Sequence, residues 1–152
     1  MGLGMMASDH GVVESQMALD AAAVQQIILN GLPAASETGV QVEQVGDGKA
    51  RVRQPFRASM IRPGGTLSGP TMMGLADAAM YAAILGQLGR LEMAVTQNLN
   101  INFLRRPAPR DLIADCNIIR MGRRSAVLEV WLYSDGEEQP VAHVTGTYAL
   151  PH

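Results

Sequence analysis

Apolar and polar side chains alternate along the second half of the chain. Period-two alternation is typical of strands that cover a core with one face. The pattern indicates four long strands, at residues 95–104, 112–121, 125–134 and 141–150. Short segments rich in Pro, Gly and Asp separate them, so the sequence predicts an antiparallel meander of four consecutive strands.

The first of these strands has the most regular pattern. Five positions are predicted to share one face: Val95, Gln97, Leu99, Ile101 and Phe103. Four are predicted to face the opposite way: Thr96, Asn98, Asn100 and Asn102.

The first half of the chain predicts a helix at residues 18–29 and a hairpin after it. The helical stripe comprises Leu19, Ala22, Ala23, Gln26 and Ile27. Two alternating segments flank the strong turn signal at residues 46–48. Residues 57–66, rich in Gly and Pro, are predicted to form a loop.

Residues 70–88 are apolar on every side of a predicted helix. Pro70 suits the first helical position, and Gly89 is a stop signal. A helix that is apolar all round is buried, so another element must surround it. The sequence therefore predicts an α+β fold in which one long antiparallel sheet wraps around one central apolar helix.

Length and composition fit one domain. The 152 residues include 47% apolar and 17% charged side chains, against a usual charged fraction of ~25%. Low charge leaves apolar surface for other subunits to cover. We predict a single domain over residues 18–152, after a poorly ordered segment over residues 1–17.

Net charge and cysteine content exclude several classes of function. A net charge of −2 provides no basic footprint for nucleic acid. The single cysteine, Cys116, excludes an intrachain disulfide and a thiol-rich metal site, and we expect a buried strand residue there. We predict no metal, no membrane span and no secretory signal, and hence a cytoplasmic protein.

Asp77 is the sharpest candidate for chemistry. It is the only formally charged side chain between Pro70 and Leu88. An unpartnered carboxylate in an apolar interior costs several kcal/mol, so such a residue is either functional or a hydrogen-bonded packing element.

The start of the same helix is the second candidate. Free N–H groups at a helix N-terminus attract developing negative charge, and Gly69 lets a carbonyl approach the backbone. A plain cap by Ser68 or Gly69 is the alternative. Asp77 lies seven residues after Pro70 and ~10 Å further along the axis, so a two-fold dimer is needed to bring it beside the partner's Gly69.

Residues 64–77 and the strand after them resemble the PaaI-type hotdog thioesterases. In that family a His-Gly-Gly motif opens the central helix, and a carboxylate follows eight residues after the first Gly, which is the spacing of Gly69 and Asp77. The similarity covers roughly residues 40–150. Ser68 replaces the motif's His, Pro70 replaces its second Gly, and Arg62 replaces an Asn that holds the carbonyl in some relatives.

The resemblance implies hydrolysis of an acyl-CoA thioester to the free acid and CoA, without a cofactor. Asp77 would act as nucleophile or as general base on a water molecule, the Gly69 N–H would bind the thioester oxygen, and Thr96 would orient the water. Asp77 and Thr96 would come from one subunit and Gly69 from its neighbour. The assembly would be a homodimer or homotetramer in which the 95–104 strands pair.

The other candidates would bind substrate. By the resemblance, Arg62, Ser68 and Pro70 would lie where the carbonyl binds. Met73 belongs to a Met-rich helix face that would tolerate varied acyl groups, with a core surface as the alternative. Four arginines at strand ends and turns suit the phosphates of CoA, with solvated turn residues as the alternative: Arg105, Arg106, Arg123 and Arg124.

Two other functions stay open. A hotdog dehydratase or hydratase usually needs a histidine with its carboxylate, and no histidine lies in or beside residues 70–88. A non-catalytic acyl-CoA-binding or regulatory protein would tolerate the altered motif but has no evident need for Asp77.

Overall fold

The computed structural model describes residues 19–31, 37–89 and 93–151. The elements are helix α1 (Ala21–Gly31), strands β1 (Gln41–Gly46) and β2 (Lys49–Gln54), a 3-10 turn (Ala58–Met60), strands β3 (Ile61–Arg62) and β4 (Thr66–Leu67), helix α2 (Gly69–Leu88), and strands β5 (Val95–Phe103), β6 (Leu112–Met121), β7 (Ser125–Ser134) and β8 (Ala142–Ala149). The segment over residues 1–17, predicted to be poorly ordered, lies outside the described residues.

Six strands form one antiparallel sheet in the order β1-β2-β6-β7-β8-β5. Strands β6, β7 and β8 are consecutive neighbours as predicted, but β5 pairs with β8 and not with β6. The predicted four-strand meander is therefore wrong in its first strand. Residues 104–111 join β5 to β6, a longer connection than the about 2–5 residues of a hairpin, so the chain can cross the end of the sheet.

Helix α2 packs on one face of this sheet, and together they form the core. Met80 and Ile84 are fully buried, as is Leu128 on the facing sheet surface. Two glycines permit the helix and the sheet to approach each other closely. A Cβ on Gly146 would lie 2.5 Å from the Met80 sulfur, and one on Gly86 would lie 2.7 Å from Val45 Cβ. The predicted arrangement of one sheet around one apolar helix is confirmed.

One side of α2 is less buried than predicted. Met73 and Gly74 are exposed and Asp77 is half-buried, because α2 packs mainly on β1, β2, β6 and β7 and leaves the side near β5 open. The predicted burial on every side is therefore wrong for a single chain. No helix in the described ranges is long and apolar enough to span a membrane.

Helix α1 begins later than predicted and buries a different stripe. The Asp20 carboxylate accepts a hydrogen bond from the Ala23 N–H at 2.9 Å and caps the first turn. Val24 and Ile28 are the fully buried residues, whereas Ala22 and Gln26 of the predicted stripe are exposed.

The segment predicted to be a loop, residues 57–66, contains the β3–β4 hairpin. Arg62 pairs with Thr66, and the Gly65 N–H donates to the Arg62 carbonyl at 3.0 Å. Gly64 and Gly65 have positive φ angles of 101° and 76°, which this tight turn requires. The hairpin leads directly into α2 and holds the start of that helix.

Candidate active site

Asp77 lies on the open side of α2, in the wall of a cleft. Its Oδ1 accepts two hydrogen bonds, one from the Thr96 hydroxyl at 2.7 Å and one from the Tyr148 hydroxyl at 2.7 Å. The Tyr148 hydroxyl also lies 3.2 Å from the Asp77 carbonyl oxygen. Among the residues that the structure describes, Oδ2 has no hydrogen-bond partner. One oxygen of the carboxylate is held, and the other is available to a ligand.

A bulge in β5 directs Thr96 toward Asp77. Thr96 pairs with Tyr148, and Leu99 pairs with Gly146, and both of these β8 residues face α2. Residues three apart on a regular strand face opposite ways. The register shift between Thr96 and Asn98 inserts the extra residue that brings Thr96 to the helix side. The predicted alternation, which placed Thr96 with the asparagines, is therefore wrong at this position.

Tyr148 is a residue of the site that the sequence analysis missed. It is 3% exposed, and its ring stacks on Tyr81 with centroids 6.2 Å apart and planes 14° apart. Burial, and then the Asp77 charge, raise the pKa of Tyr148 above its ordinary value, so the phenol remains a donor at neutral pH. Alternation along β8 shows which face Tyr148 is on, but only the β5–β8 register shows that it meets Asp77.

A cleft of about 980 Å³ runs along the open side of α2 past Asp77. Pro70, Gly74 and Ala78 of α2 line it, as do Gln54 at the end of β2 and Arg57 in the segment that follows. A volume near ~1,000 Å³ lies at the upper end of the range for small-molecule pockets. The cleft therefore has room for an acyl group next to the free oxygen of Asp77.

The first turn of α2 has one unused amide. The Ser68 hydroxyl accepts from the Thr71 N–H at 3.2 Å, and the Ser68 carbonyl accepts from the Met72 N–H at 3.3 Å. Pro70 has no N–H. Within residues 19–31, 37–89 and 93–151, the Gly69 N–H has no partner. Ser68 is thus a helix cap, and the Gly69 N–H is free to bind an anion or a carbonyl oxygen.

Gly69 and Asp77 of one chain lie beside different ends of β5. A Cβ on Gly69 would lie 3.2 Å from the Phe103 ring, at the end of the strand, whereas Asp77 is bonded to Thr96 near its beginning. Eight residues of helix separate the two by ~12 Å. A carbonyl bound at Gly69 is therefore too far from the Asp77 of the same chain for direct attack.

The predicted substrate-binding arginines fall into two groups. Arg106 donates to the Gly64 carbonyl at 3.4 Å, so it lies next to the hairpin that carries Arg62, and Arg105 precedes it. Arg123 and Arg124 lie in the β6–β7 turn. That turn adjoins the beginning of β5, because Ser125 pairs with Ala149 and Ala149 pairs with Val95. One chain therefore does not gather the arginines at one end of the sheet.

Cys116 and His143 lie outside the site. Cys116 is 2% exposed in β6, as predicted, and burial raises its pKa to about 12, so the thiol is unreactive. His143 lies on the other face of the sheet, where its Nε2 is 2.8 Å from a Glu129 carboxylate oxygen and its ring packs on Trp131. Neither residue contributes to the cleft.

The fold and site define a class of protein. An antiparallel sheet around a central helix, with a carboxylate in the first half of that helix, is the hotdog architecture of thioesterases. A model of the thioesterase superfamily matches residues 64–141, and the chain belongs to that superfamily. The predicted resemblance is confirmed, and membership makes this chain a hydrolase of the thioesterase class.

Relatives cover nearly the whole chain. A candidate esterase of Halobacterium salinarum is 32% identical over an alignment of 141 positions, which covers 86% of this chain and 93% of that protein. A candidate thioesterase of a Silicibacter species is 33% identical, with a TM-score of 0.81 over 91% of this chain and 96% of that one. A mutant of the phenylacetic acid degradation protein PaaI of Thermus thermophilus is 26% identical, with a TM-score of 0.65 over 77% of this chain and 97% of that one.

Proposed function

We propose that this protein hydrolyses acyl-CoA thioesters to a free acid and CoA. The observation that carries the proposal is the Asp77 carboxylate beside the cleft: two hydroxyl groups hold one of its oxygens, and the other has no partner among the described residues. An oriented carboxylate with one free oxygen suits either attack on a carbonyl or removal of a proton from water. The proposal includes a cytoplasmic location and no cofactor.

Two routes use the same atoms. In the first, Oδ2 takes a proton from a water molecule that attacks the thioester carbon, and CoA leaves as the thiolate. In the second, Oδ2 attacks the carbon, forms a mixed anhydride and expels the thiolate, and water then hydrolyses the anhydride. Both routes develop negative charge on the thioester oxygen, and the Gly69 N–H is the donor proposed to stabilise it.

A second copy of the chain is proposed to complete the site. Strand β5 is an edge strand, and large apolar side chains near its two ends are exposed: Val95 by 57%, Phe103 by 52% and Leu104 by 49%. An exposed apolar edge is a template for pairing with another chain. A two-fold axis near the middle of β5 would exchange its ends and bring the partner's Gly69 toward Asp77. The same operation would cover Met73.

The same axis would also bring the two groups of arginines together. The partner's Arg105 and Arg106 would approach the beginning of β5, where this chain has Arg123 and Arg124. Guanidinium groups bind phosphates through paired N–H donors. We propose that these four residues bind the phosphates of CoA at the mouth of the composite site.

Release of free thiol from a panel of acyl-CoAs tests the proposal, with Asp77→Asn as the key variant. We expect hydrolysis by the wild type and a loss of roughly 10²–10⁴-fold in Asp77→Asn, because the reactive oxygen is replaced by an amide. Asp115→Asn, on the other face of the sheet beside Arg51, is the matched control and should keep full activity.

The alternatives predict different results in the same assay. An acyl-CoA-binding protein would bind the panel tightly and release no thiol from any member. A dehydratase or hydratase would change the enoyl absorbance without releasing thiol. Either result, obtained with folded wild-type protein, would overturn the proposed hydrolysis.

A further inference from the structure

We propose that Tyr148 is a positioning residue for the hydrolysis, which with Thr96 fixes Oδ1 of Asp77 and so selects Oδ2 as the reacting oxygen. The inference rests on the proposed function and adds to it a residue that lies outside the helix motif. Tyr148 acts through Asp77, because its hydroxyl contacts Oδ1 and not the reacting Oδ2.

The geometry makes the two oxygens of Asp77 unequal. Both hydroxyl donors converge on Oδ1 at 2.7 Å, which is a short distance typical of hydrogen bonds to a charged acceptor. Oδ2 has no donor among the described residues. Rotation of the carboxylate would break both bonds at once, so the side chain has one preferred orientation.

Tyr148 is itself rigid and stays protonated. It is 3% exposed, lies between β5 and β7 in the sheet, and stacks on Tyr81 of α2. The second contact of its hydroxyl, 3.2 Å from the Asp77 carbonyl oxygen, links the strand to the helix backbone at this residue. Thr96 is exposed and lies on the edge strand, so Tyr148 is the better anchored of the two donors.

Loss of the phenol is expected to change turnover more than binding. Without it, the carboxylate turns more freely and loses a donor that stabilises its charged form. We expect kcat to fall about 10-fold in Tyr148→Phe, the value of one hydrogen bond to a charged group, with KM within about 2-fold of the wild type. The acid limb of the kcat–pH profile should move to higher pH, because the carboxylate becomes easier to protonate.

The other ionisable side chains that line the cleft are Glu37, Arg57 and Tyr81. All three are retained in Tyr148→Phe, so their titration is common to both proteins. Tyr133→Phe is the matched control: the same hydroxyl is removed from β7, where Tyr133 pairs with Ile113 away from α2. It should leave kcat, KM and the acid limb unchanged.

A second measurement does not depend on activity. In protein labelled with ¹³C at the aspartate carboxyl carbons, the Asp77 signal is assigned by its disappearance in Asp77→Asn. Its titration should move to higher pH in Tyr148→Phe and stay in place in Tyr133→Phe. If Tyr148→Phe does not fold, 3-fluorotyrosine at position 148 replaces it. That stronger donor should move the titration to lower pH.

The outcomes separate this inference from the proposed function. If the wild type releases no thiol, the proposed function is wrong, and the carboxyl titration still decides whether Tyr148 holds Asp77. If the wild type is active and Tyr148→Phe keeps its kcat and acid limb, the positioning role is wrong while the proposed function stands. An unmoved carboxyl signal in the folded variant also overturns the positioning role.

Discussion

The two edges of the sheet are finished in opposite ways. At the β1 edge, the Gln25 side chain of α1 donates to the Val40 carbonyl at 2.8 Å and accepts from the Val42 N–H, so the chain itself occupies the edge. Glu43 on β1 bonds Arg51 and Arg53 of β2 at 3.1 Å and 2.6 Å. Charges and a covering helix are the usual protection of an edge strand.

In the part of the chain that the structure describes, the β5 edge has neither kind of protection. No residue of Val95–Phe103 is charged, and Val95 and Phe103 are more than half exposed. Asp77 and its cleft lie on this side of the molecule. Among the described residues, the edge far from Asp77 is therefore closed, and the edge next to Asp77 is open. This is the arrangement expected if a second copy supplies the other half of the site.

A charge in the middle of the open edge should have the largest effect. In Asn100→Lys the two introduced cations would face each other across the proposed axis, which should separate the subunits and remove the partner's Gly69 N–H from each site. We expect a shift to monomer and a loss of activity of about 100-fold or more, the effect of losing an oxyanion donor. Light scattering measures the mass of the assembly, and thiol release measures the activity.

The same change at the closed edge is its control. Gln41→Lys places the cation at an exposed position of β1, whose edge α1 already covers. It should change neither the mass of the assembly nor the turnover. An Asn100→Lys protein that stays dimeric and fully active would remove β5 as the proposed interface.

Gly86→Ala should destabilise the closed side of the molecule. The new methyl group would lie 2.7 Å from Val45 Cβ of β1 and force the helix and strand apart. We expect the free energy of unfolding, measured in urea, to fall by about 1–3 kcal/mol, which is the usual cost of overpacking a core. In Gly31→Ala, where no atom of the described residues lies within 4 Å of the new Cβ, the free energy of unfolding should change by less than about 1 kcal/mol.

Gln25→Leu should open the protected edge. It removes the hydrogen bonds to the backbone of residues 40 and 42, each worth about 1 kcal/mol net. We expect the free energy of unfolding in urea to fall by about 1–2 kcal/mol, and aggregation on heating to become faster. Gln26→Leu, on the exposed side of the same helix, should show neither change. Equal behaviour of the two variants would mean that Gln25 does not protect the β1 edge.

The smallest expected effect is the pH dependence of the stability that the ion pairs at the β1 edge contribute. A hydrogen bond from Arg53 holds the pKa of Glu43 below its usual value. A lowered folded-state pKa adds stability above the unfolded value of 4.5, and this stability is lost as the pH falls through the lower folded value. Because the pair is partly exposed, we expect Glu43→Gln to reduce stability by less than about 1 kcal/mol at pH 7 and to converge with the wild type in acid.

Local pattern predicted the elements of this molecule better than their neighbours. The bounds of β6 and β7 match the predicted ones, and α2 differs by one residue at its start, because periodicity and capping signals are local. The position of β5 beside β8 depends on pairing between distant segments, which alternation does not specify. For the same reason, the alternation pattern predicted neither the bulge that turns Thr96 toward α2 nor the contact between Tyr148 and Asp77.

The site was predicted from a motif and the structure adds its geometry. A single charge in an apolar helix identified Asp77, and the structure places Thr96 against it. The α1 stripe failed for a related reason: Ala22 and Gln26 have helical spacing, but packing against the rest of the chain selects Val24 and Ile28. Which face of a helix is buried depends on its tertiary contacts, and the sequence of the helix alone does not specify them.

Mixing two inactive variants tests most directly whether each site combines residues of two chains. Asp77→Asn lacks the carboxylate, and Gly69→Pro lacks the amide, with Gly69→Ala as the control that keeps the N–H. After subunit exchange at equal amounts, half of the dimers are mixed, and each mixed dimer has one site with both groups intact. The account predicts recovery of roughly a quarter of wild-type activity, from two proteins that are inactive alone. No recovery, with exchange of folded subunits demonstrated, would contradict it.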